Sequence, residues 1–190
     1  MVSNATREIF KEFNEAAQVF RDLPLDKKTI KVITHNDADG ITAGAVLHKA
    51  LCRERLPVHT RCLKQLESNS VRDIAKENPE IIIFSDLGSG KLNEIKNHLP
   101  EKTKVFVLDH HQPQKAVCNG LIQVNPHNHG IDGAREVSGS GMAYLFARAL
   151  NQNNKDLAGL ALVGAIGDIQ DSSGKLIGIN REILKDATDV

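Results

Sequence analysis

The chain has 190 residues, 41% of them hydrophobic, which is enough for one ordinary domain with a real core or a domain with a small extension. Lys plus Arg and Asp plus Glu both number 24, so the formal net charge is zero; no overall field draws nucleic acid or membrane, and a polyanion has to be held by a local site. Cys52, Cys62 and Cys118 form no C-x-x-C pair, which argues against a disulfide framework or a cysteine-built zinc site and fits a reducing cytoplasm, and no stretch reaches the ~20 apolar residues that span a bilayer.

Phe10, Phe13, Ala17 and Phe20 recur at helical spacing behind Asn4, read as the cap, so an amphipathic helix comes first. Its Phe stripe is either core or a docking face. After the break at "LPLDKK", "TIKVIT" reads as a short β-branched strand, "HNDADG" as a loop turning at Gly40, and "ITAGAVLHKALCRERL" as a helix packed on a sheet. The unit then repeats: strand "PVHTRCL", helix "SNSVRDIAKENP", strand "EIIIFSD", helix "GKLNEIKNHL" and strand "TKVFVLDHH". Continuous apolar runs such as "IIIF" and "VFVL" between amphipathic helices indicate parallel strands buried on both faces, hence a doubly wound α/β sheet flanked by helices. Beyond "LIQVNP" and a loop rich in His, Asn and Gly come the helical patterns "MAYLFARALN", "KDLAGLALVGAIGDI" and "NREILKDATDV".

Ligands of such a sheet gather at the carboxyl ends of its strands. There the first strand delivers His35, Asp37 and Asp39 on alternate residues, which places them on one side of extended backbone; "IIIF" ends in Asp86 and "VFVL" in Asp109, His110 and His111. Asp168, after Gly167, makes a fourth contribution, with Asp171 one turn on as the alternative. Alone, the first motif also fits a polar turn with caps. Taken together, these acids need a positive partner, because an unpaired buried charge costs several kcal/mol even after relaxation. No run of Lys or Arg accompanies them. Asp37, Asp39, Asp86 and Asp168 suit two divalent cations, with neutral His35 and His110 as further ligands, and the mixed carboxylate and imidazole set favours Mn²⁺ or Mg²⁺. Two ions about 4 Å apart can bridge a phosphate, activate a water and stabilise the departing oxygen, so phosphodiester hydrolysis is the expected reaction. His127 and His129 are expected to face solvent, and His48, His59 and His98 to be structural or exposed.

"VITHNDADGITAG", "IIIFSDLGSG", "VFVLDHHQP", "VNPH", "EVSGSGMAYLFARAL" and "LALVGAIGDIQD", in this order, resemble the DHH phosphoesterase superfamily, and within it the archaeal branch of RecJ-like nucleases, related to a eukaryotic replicative-helicase factor. The resemblance implies that His35, Asp37 and Asp86 hold one cation and Asp39, Asp86, His110 and Asp168 the other, with Mn²⁺ preferred, or Mg²⁺. It makes Asp109 and His111 the catalytic pair, Asp109 orienting its neighbours and His111 facing the scissile phosphate. It also implies that Ser138, Gly139, Ser140 and Gly141 start a helix whose free amides receive a phosphate; a flexible cap is the other reading of "SGSG". The implied function is a two-metal, 5′-to-3′ exonuclease on single-stranded DNA or RNA in replication or repair, with replication-helicase proteins of GINS type as further partners. A scaffold subunit and a small-molecule phosphoesterase are the alternatives. Residues 1–28 are expected to form a helical extension and 29–190 the DHH domain. The second domain with which the family grips a strand is missing after Asp171, so a fragment is expected.

Overall fold

Alternate residues of the central strands serve two different cores. Ile81, Ile83, Phe106 and Leu108 belong to one, and Ile82, Phe84, Val105 and Val107 to the other, as the period of two in an extended chain dictates. This computed structural model describes residues 3–26, 28–115 and 120–189. Five strands, β1 (Ile30–His35), β2 (Val58–Leu63), β3 (Ile81–Ser85), β4 (Lys104–Leu108) and β5 (Leu121–Val124), form one sheet in the order β2-β1-β3-β4-β5, every pair parallel. The doubly wound α/β expectation holds.

Helices α3 (Ser68–Lys76) and α4 (Leu92–His98) cover one face of the sheet through Val71, Ile74, Leu92 and Ile95. The other face carries α1 (Asn4–Arg21), α2 (Ala38–Arg53), α5 (Gly139–Leu150), α6 (Ala158–Gly167) and α7 (Gly178–Thr188) around the larger core. Phe13 and Phe20 are buried there, and Phe20, Phe106 and Phe146 meet with ring centroids 5.5–6.0 Å apart, so the Phe stripe of α1 is core. The cap of α1 is Ser3, whose side chain accepts from the Thr6 amide; Asn4, expected in that role, is the first helical residue.

The strand order reverses between β1 and β3, because the chain leaves β1 for β2 on one side and returns to β3 on the other. A crevice opens at such a point outside the carboxyl ends. Thr34, Ser85 and Leu108 stand in one row across the sheet, which sets His35, Asp86 and Asp109 in the next row, at that edge.

Candidate metal centre

His35 closes β1, and its neighbours reach the crevice by another route than the expected alternation. The strand stops at His35 and α2 begins at Ala38; Asp37 caps it, accepting from the Gly40 amide at 2.9 Å, and Asp39 sits in its first turn. Gly40 lies inside the helix and is not the turn expected there. A Cβ on Gly40 would fall 2.4 Å from the His35 carbonyl oxygen, so only glycine lets α2 start this close to the strand. The capping reading of the motif is thus borne out by Asp37, which also lies in a donor group with His35 and Asp86.

Asp86 ends β3 with φ +59, a left-handed conformation that Asp tolerates better than most side chains. Its carboxylate is 1% exposed and divides between two neighbours: Oδ2 lies 3.9 Å from His35 Nδ1, and Oδ1 lies 3.1 Å from His110 Nε2. Neither oxygen has a partner in good hydrogen-bond geometry among the described residues. Burial pushes Asp86 up to about 7 despite His110 beside it. For His110, burial opposes the charged ring, but the Asp86 and Asp39 carboxylates outweigh it and raise it to about 10.

His110 Nδ1 donates to the Gly133 carbonyl at 2.7 Å, which aims Nε2 at the carboxylates; Asp39 Oδ2 lies 3.7 Å from it. Asp109, fully buried, accepts from the Ser89 amide at 2.8 Å and holds His111 Nδ1 at 2.8 Å. His111 is correspondingly raised by that carboxylate, and its side chain stays 57% exposed at the mouth of the crevice. Asp168 follows the last residue of α6, is half-buried, and is raised by that burial.

Three groups of donor atoms, each within 4.8 Å of one another, result: His35, Asp37 and Asp86; Asp39, His110 and Asp168; and Asp86, Asp109, His110 and His111. Asp171, the alternative to Asp168, is in none of them among the described residues. A cavity of about 400 Å³ adjoins them, walled by His35, Asp86, Asp109 and His111 on one side and by Lys64, Leu66 and Lys91 on another.

The donor set fits divalent cations. Among the described residues neither buried oxygen of Asp86 has a partner in good hydrogen-bond geometry, and every converging donor is a carboxylate or an imidazole. Cys52 and Cys62 are free and exposed, and Cys118 lies outside the described residues.

Two expectations are corrected here. The amides at the start of α5 are not open to a phosphate: Gly139 and Ser140 donate to Asp39 Oδ2 and Oδ1 at 2.6 and 2.9 Å, and Gly141 donates to the Ser138 hydroxyl, all four residues being buried. Nor do His127 and His129 face solvent. His127 Nε2 lies 3.0 Å from the His110 carbonyl oxygen and His129 Nε2 lies 2.7 Å from Glu12, so both tie the loop after β5 to its surroundings. Sequence reasoning missed Asn125, which donates to Ser89 Oγ and to the His111 carbonyl, and Gln170, whose Nε2 donates to Asp168 Oδ2 at 2.8 Å. Neither lies in a pattern of chemical spacing.

Residues 29–165 match the model of the DHH family, N-terminal domain. The chain belongs to the DHH family. An uncharacterised protein of Methanocaldococcus jannaschii is 39% identical over 166 residues, covering 84% of this chain and 37% of that protein. The single-stranded-DNA-specific exonuclease RecJ of Thermus thermophilus is 30% identical over 187 residues, covering 93% of this chain and 27% of RecJ. This DHH chain therefore spans about a quarter to two fifths of the length of these curated relatives. The crystal structure of that RecJ with Mn²⁺ superimposes with a TM-score of 0.75 at 28% identity, over 94% of this chain and 27% of RecJ. At 20% identity the fold alone extends to CDC45 of Entamoeba histolytica, with a TM-score of 0.65 over 100% of this chain and 38% of that one. Among the described residues no helix is long and apolar enough to cross a membrane.

Proposed function

We propose that this DHH domain hydrolyses phosphodiester bonds of single-stranded nucleic acid as a RecJ-like exonuclease acting from the 5′ end. The observation that carries the reading is Asp86, a buried carboxylate without good hydrogen bonds whose two oxygens face two separate sets of acids and imidazoles. His35, Asp37 and Asp86 would hold one cation, and Asp39, Asp86, His110 and Asp168 the other. When bound, such a pair neutralises the phosphate, lowers the pKa of a water and stabilises the leaving oxygen, with Mn²⁺ or Mg²⁺ as the fitting ions.

The chain's own groups supply the rest. Asp109 fixes the His111 ring through Nδ1 and favours its protonated form, in which Nε2–H can hydrogen-bond a phosphate oxygen at the crevice mouth. Asp37 stays ionised: burial works against it, but the Gly40 amide and His35 hold it below the usual carboxylate range. Lys64 and Lys91 bring positive charge to the cavity wall, where a polyanion can be held locally although the whole chain is neutral. The single-strand preference is carried over from the name of the Thermus relative, and the 5′-to-3′ direction from the family resemblance.

Single strands labelled at the 5′ or the 3′ end, incubated with Mn²⁺ beside a dinucleotide and pyrophosphate, test this. Release of the 5′ label first is expected, and Asp86→Ala should abolish it. Cleavage of pyrophosphate or dinucleotide with single strands left intact would reassign the chain to small-molecule hydrolysis. A second reading, carried over from the family resemblance, is a scaffold role in a replication-helicase assembly with GINS-type proteins. Binding to such proteins should survive Asp86→Ala, whereas cleavage should not.

A further inference from the structure

Gln170 lies in the stretch "LALVGAIGDIQD" but received no role from the sequence, yet its buried amide touches both sides of one metal pocket. The route to it is strained. Asp168 follows α6, and Ile169, 70% exposed, adopts φ +57, a left-handed conformation that a β-branched residue rarely takes. That residue reverses the chain, the Gln170 amide returns to the Ala165 carbonyl at 3.0 Å, and the Gln170 side chain is buried beneath Asp168.

There Nε2 lies 2.8 Å from Asp168 Oδ2, 2.9 Å from the Gly133 carbonyl and 3.3 Å from the Val137 carbonyl. The carbonyls can only accept, which fixes the NH₂ group toward them and turns Oε1 to Asn180, whose Nδ2 donates to it at 2.6 Å. Asn180 is fully buried in the first turn of α7, and its own amide donates to the Glu136 carbonyl at 2.8 Å. The Gly133 carbonyl is also the acceptor that holds His110 Nδ1. One side-chain amide therefore grips Asp168 directly and His110 through their common acceptor.

We infer that Gln170 is a positioning residue for the Asp39, His110 and Asp168 pocket: through Asp168 Oδ2 and the Gly133 carbonyl it sets the two ligands that do not come from α2, and Asn180 anchors it to α7. The inference rests on the reading of these residues as ligands of a divalent cation. Partners that orient ligands in this way typically contribute 10- to 100-fold to metal affinity. A role confined to satisfying buried carbonyls would move the melting temperature and leave cation affinity alone.

Mn²⁺ uptake by the 190-residue chain, followed without substrate by the electron paramagnetic resonance of free Mn²⁺, separates the two. The parent chain is expected to take up two ions. Gln170→Met should weaken one site about 10- to 100-fold and leave the other unchanged. In an Asp168→Ala background the same substitution should add less than it does in the parent, the remainder acting on His110 through the Gly133 carbonyl. Asn180→Ala, which frees Gln170 Oε1 without touching the pocket, should weaken the same site by less and serves if Gln170→Met does not fold. Tyr144→Phe, remote from the pocket, is the control for lost stability alone. Unchanged affinity at both sites, or equal weakening of both, overturns the role of Gln170 and leaves the metal reading standing. A parent chain that takes up no Mn²⁺ overturns both.

Discussion

Gly139 rests against the side chain of Asp86: a Cβ at position 139 would lie 2.3 Å from Asp86 Oδ1 and 2.4 Å from its Cβ. The first turn of α5 thus lies directly over the carboxylate that faces both donor sets, while the amides of the same turn hold Asp39. Gly139→Ala must push either the helix or Asp86 aside. Overpacking of this kind typically costs about 1–3 kcal/mol, so a lower midpoint in urea is expected together with loss of cleavage. A variant with parental stability and activity would mean that α5 does not press on Asp86.

Asp86→Asn should separate stability from activity. The substitution keeps the shape and relieves the burial of the charge but also withdraws one of the two carboxylates that raise His110, so by calorimetry the cation-free chain should melt close to the parent. Cleavage should fall by at least about 100-fold, the scale on which removal of one preorganised electrostatic group is felt. A large loss of melting temperature would contradict the picture of an acid held at a cost.

Asp109→Asn should change the ionisation of His111 before it changes anything else. The carboxylate raises His111, so in its absence the ring loses its proton at a lower pH than in the parent. Nuclear magnetic resonance of the imidazole in the cation-free chain reads this directly. The Ser89 amide also loses a charged acceptor, and a drop of about 1–3 kcal/mol in stability is expected alongside.

Acid should loosen the joint between α5 and α7. Asp186 accepts from Tyr144 Oη at 2.8 Å and from Arg148, with Lys155 Nζ 3.4 Å away. Burial disfavours its charge, but Tyr144, Arg148 and Lys155 outweigh it and hold its pKa below the ordinary value. A depressed carboxylate stabilises the fold above its unfolded pKa and loses that contribution as pH falls through the folded one. Unfolding free energy should therefore decline below about pH 4, and Asp186→Asn should flatten part of that decline. An unchanged acid profile in the variant would place the loss elsewhere.

Ile169→Gly should stabilise the chain. A left-handed conformation costs a branched residue about 1–2 kcal/mol, and its side chain is 70% exposed, so little burial is given up. After the entropy that glycine adds to the unfolded chain, a gain of up to about 1 kcal/mol in urea melts is expected. A loss of that size would show that the exposed Ile169 side chain is held by contacts of its own.

The strands were legible because burial on both faces writes itself locally, as in "IIIF" and "VFVL", and because acids at the end of such runs have no reason to be there unless something binds them. His35, Asp37, Asp86, His110 and Asp168 could be picked out on that ground. Asp39 was found for a mistaken geometric reason, since a helix and not an extended strand carries it into the crevice. What stayed hidden depends on partners far away in sequence. The Asp39 contacts with Gly139 and Ser140 span 100 and 101 positions, and those of Gln170 with Gly133 and Val137 span 37 and 33, so no spacing rule announces them. The order of strands likewise follows from how helices pack on the finished sheet, which local periodicity does not encode.

Asp39 illustrates what those distant partners achieve. Two peptide N–H groups at the head of α5 already meet its charge, so the polypeptide itself holds this acid at the crevice. Chelation should accordingly leave a folded apoprotein that recovers on adding cation back, unlike the small zinc modules that come apart when stripped.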